Sequence, residues 1–452
     1  MTVDGLDARS VLLYGLGVTN LAVARALLER GGTVVVATDG DGGPTRREFE
    51  ALGLTIASPA SPDDLALLVA EADALVPAPG LPESHRVFSA AAGASVPVLS
   101  EFDLAAAWDD RPLLSITGTN GKTTVTTLVT LMLERSGRRA EAVGNTDVPL
   151  VAAIADQDVE VFVVEASSFR LARTHRFRPA VATWLNFAED HLDVHADLGA
   201  YEAAKARQWA DLDASSVAVA NADDPVVLRH IGFGGATFVT FGLAPGSARV
   251  GLDHYTTVDG DLVTPAGEVI VAATEMFRSM PHDVANALAA SATALAGGAS
   301  LFGVRAALRE FRGLSHRVEL VADADGVRWY DDSKATAPHA VVAAVGGFDS
   351  VVLIAGGRNK GLDLSTLSRV RDRVRGVVGI GEAGAEVVAA FPGRPSAVAD
   401  SMAAAVRTAS TMATRGDAVL LSPGCASFDW YDNYGQRGDD FAAEVRALVG
   451  SS

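Results

Sequence analysis

With 452 residues, 49% hydrophobic and 21% charged, the chain is long enough for two or three domains, each burying its own core. A formal net charge of −19 and a pI near 4.8 exclude a nucleic-acid partner, so phosphorylated ligands must be held by local donors. The single cysteine, Cys425, excludes an internal disulfide framework and suits the cytoplasm, and no apolar run reaches the ~18 residues of a membrane span.

Short Val/Ile/Leu runs alternate with helical stretches, which predicts an α/β fold in three successive units. In the first, strands are expected at 11–14, 33–38, 54–56, 74–76 and 96–99, and a helix at 19–30. Gly15-Leu16-Gly17-Val18-Thr19-Asn20 joins the first strand to that helix, with Asp39 about twenty residues on. Asn20 replaces the third glycine of a dinucleotide fingerprint. The loop still suits a diphosphate at a helix N-terminus. A nicotinamide oxidoreductase would use it but leaves the next loop without a task.

The second unit opens with a strand at 113–117, then Gly118-Thr119-Asn120-Gly121-Lys122-Thr123-Thr124, then a helix at 123–136. Glycines there let backbone N–H groups approach phosphates, Lys122 bridges the terminal ones, and Thr123 offers a hydroxyl to Mg²⁺. Ile116 stands where the longer form of this loop has glycine. A strand at 161–164 ends at Glu165, placed for Mg²⁺. Strands follow at 180–185 and 217–220. Glu189-Asp190-His191-Leu192-Asp193 precedes a helix at 198–209 carrying Lys205. An ammonium is repelled by a metal ion, but a lysine that has reacted with CO₂ is a carbamate and can act as a ligand. Short hairpins are expected over 232–267 and a helix over 284–297.

In the third unit, strands at 327–330, 351–354, 377–380 and 418–421 each end in a polar or glycine-rich loop, where ligands of parallel sheets bind. His316, Arg317, Asp332, Lys334, Lys360 and Ser427 lie there, suited to an anionic amino acid or nucleotide phosphates in a site completed by domain closure. The chain has only four lysines, Lys122, Lys205, Lys334 and Lys360, and all four fall in these motifs. Arg serves as the general cation, so the lysines mark places where a point charge or a titratable amine is needed.

Gly118–Thr124, Gly144-Asn145, Glu165-Ala-Ser-Ser-Phe169, Glu189–Asp193, Ala203-Ala-Lys205, Ser315-His-Arg-Val-Glu319, Asp332-Ser-Lys-Ala-Thr336 and Leu421–Asp429 together resemble the Mur ligases, ATP-dependent amino-acid-adding enzymes of peptidoglycan synthesis. The last block resembles the branch that adds D-glutamate to UDP-N-acetylmuramoyl-L-alanine. It also argues against a folylpolyglutamate synthetase, and a non-catalytic nucleotide switch would not need the Lys360 and Ser427 loops.

The resemblance implies a Rossmann-like UDP-binding domain at 1–101, a P-loop-type ATPase domain at 102–313 and a Rossmann-like C-terminal domain at 314–452. Gly17, Val18, Thr19, Asp39, Gly80, Asn145 and His191 would contact the UDP substrate. Gly118 to Thr124, Asn286, Arg317, Asp332 and Lys334 would contact ATP, and Thr336, Lys360, Ser427 and Phe428 would contact D-glutamate. Thr123 and Glu165 would hold one Mg²⁺, and His191 with carbamylated Lys205 the second. Lys122, Glu165, His191 and Lys205 would be catalytic. A cytoplasmic monomer is expected. Some positions depart from the pattern: Arg170 stands where relatives often carry Gln, and Gly40 and Asp41 stand where an Arg near the uracil is often found.

Overall fold

The computed structural model describes residues 2–3, 6–7, 10–40, 43–192, 194–232, 234–249 and 251–450; Asp41 and Asp193 lie outside them. Besides a two-stranded antiparallel pair, Thr2–Val3 with Leu6–Asp7, three larger sheets run along the chain. In the first, four parallel strands lie in the spatial order Ile56–Ala57, Thr33–Ala37, Ser10–Tyr14, Ala74–Pro77. The order reverses between the last two, so a ligand crevice opens at their carboxyl ends, beside Gly15 and Ala78. Gly15 sits at φ 95°, and a Cβ there would lie 2.8 Å from Ala78 Cβ. The strand expected at 96–99 is reduced to one bridge, Leu75 to Val98. Pro97 is the reason: it accepts from Leu75 N–H but has no N–H to return.

The central sheet has nine strands in the order Val269–Ala272, Asp261–Val263, Asp253–Val258, Thr237–Phe241, Val217–Asn221, Val181–Trp184, Leu113–Thr117, Val161–Glu165, Ala140–Gly144. Leu113–Thr117 is fully buried, and the phosphate loop leaves its carboxyl end. The hairpins expected over 232–267 are only partly present. Thr237–Phe241 and Asp253–Val258 extend the parallel sheet, and only the last two strands turn antiparallel. The third sheet runs Glu319–Ala324, Val327–Asp331, Ala418–Leu421, Val351–Gly356, Val374–Ile380, Ser396–Val398, parallel except for its first pair.

These sheets form two compact units: Met1–Met276 with Val284–Phe311, and Phe277–Asp283 with Arg312–Ser452. In the first unit the first two sheets share one apolar core, running from Val11 and Leu27 through Phe102 to Phe162 and Phe177. In the second, apolar clusters line both faces of the third sheet. Among the described residues no helix is long and apolar enough to cross a membrane.

Phe162 sits fully buried in the shared core, with the Arg111 guanidinium 4.6 Å over its ring. Phe162→Ala should cost about 3–5 kcal/mol in urea unfolding of the first unit. A loss under about 1 kcal/mol would show that the two sheets do not depend on a common core.

Candidate functional site

The phosphate loop is shaped by two glycines that no other residue could replace. Gly118 has φ 155° and Gly121 φ 84°, and a Cβ would lie 2.9 Å from Leu185 Cβ at the first and 2.6 Å from Asn286 Oδ1 at the second. Gly121 caps the helix Lys122–Arg135, whose first N–H groups face the loop. Lys122 Nζ donates to the carbonyl oxygens of Gly118 (2.9 Å) and Thr119 (3.0 Å). Thr119 and Asn120 are fixed in turn by Tyr201 Oη (3.1 Å) and Asn186 Oδ1 (2.8 Å). Thr123 and Thr124 follow, half-buried, in the first helical turn.

Lys205 reaches the same place from the helix Leu198–Ala210, which starts on an Asp197 cap. Its Nζ also donates to Gly118 O, at 2.9 Å, and lies 4.4 Å from the centre of the Tyr201 ring. The side chain is 1% exposed. Burial, with Lys122 as a second cause, pushes this amine well below the ordinary lysine range, against an opposing pull from Asp190. Such an amine spends part of its time neutral and nucleophilic. His191 sits at φ 57°, its ring 4.7 Å from that of Phe169 and 5.9 Å from Tyr201, with Asp190 Oδ2 3.4 Å from its Nε2.

Glu165 ends the strand next to Leu113–Thr117. Its Oε1 accepts from Asn145 Nδ2 at 3.0 Å, while Oε2 is buried with no hydrogen-bond partner. An orphaned carboxylate oxygen is costly unless a cation completes it. With the Thr123 hydroxyl and the phosphate loop close in sequence and fold, the donor set is the oxygen-rich one that Mg²⁺ takes. The residues present therefore fit the metal.

Two side chains that sequence reading did not single out as functional tie this site to the first sheet. Arg170 is buried and donates to Glu101 Oε1 (3.1 Å), Asn145 Oδ1 (2.9 Å) and Thr19 Oγ1 (2.9 Å). Thr19, Asn145 and Glu165 are thereby linked through one guanidinium. His195, also buried, spans Glu83 Oε1 and Ser168 Oγ, each at 2.9 Å. Gly17 caps the helix Val18–Glu29, Val18 is exposed, and Gly80 is exposed beyond the strand Ala74–Pro77. Asp39 holds His85 Nε2 at 2.6 Å and the Arg86 guanidinium. Arg86 thus brings a cation to Asp39, beyond the end of the strand Thr33–Ala37.

In the second unit the predicted residues gather at the carboxyl ends of the third sheet. Buried Arg437 fastens two of the loops by donating to Ser333 Oγ (2.9 Å), Ser333 O (2.8 Å) and Cys425 O (3.1 Å). Asp332 is buried and accepts from Ser422 Oγ at 2.7 Å. Arg317 lies between two residues in the left-handed region, His316 (φ 60°) and Val318 (φ 50°). A β-branched residue there is a genuine outlier, of the kind found at ligand sites, costing on the order of 1–3 kcal/mol. Lys334 Nζ lies 3.8 Å from the Tyr434 ring centre and Lys360 Nζ 5.5 Å from that of Phe428. Thr336, Lys360 and Phe428 are exposed and Ser427 is buried.

Residues 116–294 match the Mur ligase middle domain, and residues 316–425 the Mur ligase glutamate ligase domain. The UDP-N-acetylmuramoylalanine–D-glutamate ligase of Frankia casuarinae is 44% identical over 97% of this chain and 94% of its own length. That of Desulfosudis oleivorans is 41% identical over 98% and 97%. Among solved structures, MurF from Acinetobacter baumannii shares the fold, with a TM-score of 0.60 at 16% identity over 96% of this chain and 93% of that one. Similarity at this level, running nearly end to end, means that the chain belongs to the Mur ligase family, among its UDP-N-acetylmuramoylalanine–D-glutamate ligases.

Proposed function

We propose that the chain joins D-glutamate to UDP-N-acetylmuramoyl-L-alanine in an ATP-driven reaction that passes through an acyl phosphate. The observation that carries the ATP chemistry is the meeting of Lys122 and Lys205 on the Gly118 carbonyl, with the half-satisfied carboxylate of Glu165 on the next strand. The acceptor and the amino acid rest on the relatives' names. An acidic, monomeric, cytoplasmic enzyme with no nucleic-acid or membrane partner fits the net charge of −19.

A carboxylate oxygen of the L-alanyl group bonds to the γ-phosphorus as the bond to the ADP oxygen breaks. The amine nitrogen of D-glutamate then bonds to the acyl carbon, phosphate leaves, and the amine gives up a proton. Two anions must meet in the first step. Lys122 and the N–H groups opening its helix offset that charge and hold the γ-phosphate in line. Mg²⁺, when bound, supplies further neutralisation, one ion held by Thr123 and Glu165 and a second by His191 and a carbamylated Lys205. The carbamate forms when the neutral Lys205 nitrogen bonds to CO₂ and loses a proton. Burial and the neighbouring Lys122 both disfavour an ammonium there and so favour the neutral amine that reacts, and the Lys122 charge also favours the resulting carbamate anion. Thr19, Asn145 and the Gly17, Val18, Asp39 and Gly80 crevice bind the UDP substrate. Asn286, Arg317, Asp332 and Lys334 bind ATP, and Thr336, Lys360, Ser427 and Phe428 bind D-glutamate.

The first test is phosphate release from ATP with UDP-N-acetylmuramoyl-L-alanine present, comparing D-glutamate, L-glutamate and a diamino acid. Release should require both substrates and prefer D-glutamate; preference for another amino acid would overturn the substrate assignment. Lys205→Ala should lose about 100-fold in turnover and regain part of it with added short carboxylates. A folded variant that no carboxylate rescues would count against the carbamate.

Asp332 gives a pH signature. Burial raises its pKa from 3.8 to about 7, against the Ser422 hydroxyl and Arg317. With the folded value raised, its contribution to stability is fully present below pH 3.8 and is lost as pH rises through about 7. Asp332→Asn should therefore gain stability relative to the parent protein as pH climbs through that window, by on the order of a few kcal/mol at most. Parallel stability profiles would show that the ionised carboxylate is fully compensated.

A further inference from the structure

We propose that Arg278 is a positioning residue for nucleotide recognition, acting through the backbone of Arg317. The proposal rests on the reading that Arg317 contacts ATP. Arg278 belongs to the segment Phe277–Asp283, which packs with the second unit although the chain around it belongs to the first. Its guanidinium makes four contacts. Nε and Nη2 fork onto Asp283 Oδ2 and Oδ1, both at 2.7 Å. Nη1 donates to Arg317 O at 2.7 Å and to Val318 O at 2.6 Å. Asp283 is itself buried, and its Oδ2 also accepts from Met280 N at 3.2 Å.

The turn that Arg278 grips does not hold its shape by local preference. His316 and Val318 are both left-handed, and Arg317 lies between them. One flank is fixed by His316, whose N–H donates to Glu319 Oε2 (3.0 Å) and whose Nδ1 lies 2.6 Å from Asp331 Oδ2. The Val318 side chain is fixed in the apolar core. What remains is the pair of carbonyls at 317 and 318, and Arg278 satisfies both. A strained conformation persists only where its surroundings over-determine it. A planar fork can hold both oxygens of a carboxylate and two carbonyls at once, four bonds, one more than the three N–H groups of an ammonium can make. Arg278 thus sets the direction in which the Arg317 side chain leaves the turn.

The test compares full-length R278K, D283N, R317A and the R278K/R317A double variant. KM is measured for ATP, D-glutamate and the nucleotide sugar, along with Mg–ATP affinity by titration and Tm. R278K should raise the KM for ATP about tenfold and leave the other two KM values within about twofold. It should add little in the R317A background, since it acts through that residue. D283N should shift the same parameter in the same direction, and it carries the test if R278K does not fold. If R317A weakens ATP and neither R278K nor D283N does, the proposal fails while the ATP role of Arg317 stands. If R317A leaves ATP binding unchanged, that role fails and takes the proposal with it. A fall in kcat alone that tracks a loss of Tm would mark Arg278 as merely structural and overturn the proposal.

Discussion

Two lysine side chains donate to one carbonyl oxygen, that of Gly118, and much of the first unit is arranged to make this possible. Like charges so close repel strongly where water is scarce. The arrangement is stable only if one amine is neutral, if one becomes an anion, or if anions are bound between them. The loop cannot relax to relieve the repulsion, because Gly118 and Gly121 hold it in a backbone path closed to other residues. Nor can Lys205 move out, with its helix capped by Asp197 and the Tyr201 ring against its ammonium. The unfavourable pair is therefore retained, and a bound anion such as a phosphate would relieve it.

The parts of this site that could be read in the sequence are those built from a few consecutive residues. A buried strand, a glycine loop with Lys122 and a helix form one local unit, so the phosphate loop is visible at once. The same holds for the loops after the strands of the third sheet, since each apolar run stops where polar residues begin. Asn20 shows how a departure from a motif can be read correctly only in three dimensions. Its Nδ2 donates to Tyr14 O, Gly15 O and Val76 O, so it locks the turn that a glycine would merely permit. Arg170, His195, Arg278 and Arg437 were not visible as connectors, because their partners lie far off in the chain; Arg170 and Thr19 are separated by 151 residues. Of the strands in the three large sheets that went unread, Ala140–Gly144, Val269–Ala272, Glu319–Ala324 and Ser396–Val398 all lie at sheet edges. These edge strands are partly exposed, and all but Val269–Ala272 lack the continuous apolar run that marks a central one.

The two kinds of cation divide the work. Arg111, Arg278 and Arg437 each gather two or more carbonyl oxygens, within one turn for Arg111 and Arg278 and from two loops for Arg437, a task that needs several N–H groups in one plane. The lysines do something else. Lys122 and Lys205 bring point charges to the phosphate loop, and Lys334 and Lys360 rest on the faces of Tyr434 and Phe428. An ammonium on an aromatic face keeps its N–H groups available, whereas a guanidinium bound to three carbonyls has spent most of its own. A chain with 37 cationic residues and only four lysines thus uses arginine for these clamps and places its lysines at the Gly118–Thr124 loop and at the strand-end loops of the third sheet.

This division also resolves an apparent conflict in the composition. A protein of net charge −19 should repel ATP, a nucleotide sugar and glutamate, all of them anions. At distances beyond a Debye length, about 8 Å at physiological salt, that repulsion is screened. Inside the loops it is replaced by local terms: a helix N-terminus, backbone N–H groups and lysines held where water is sparse. These act at contact distance and in a lower dielectric, where each is worth more than the same charge on the surface. Surface acidity therefore bears on solubility, while local groups such as the buried Lys205 amine act on an anion at contact distance, and the two can be tuned apart.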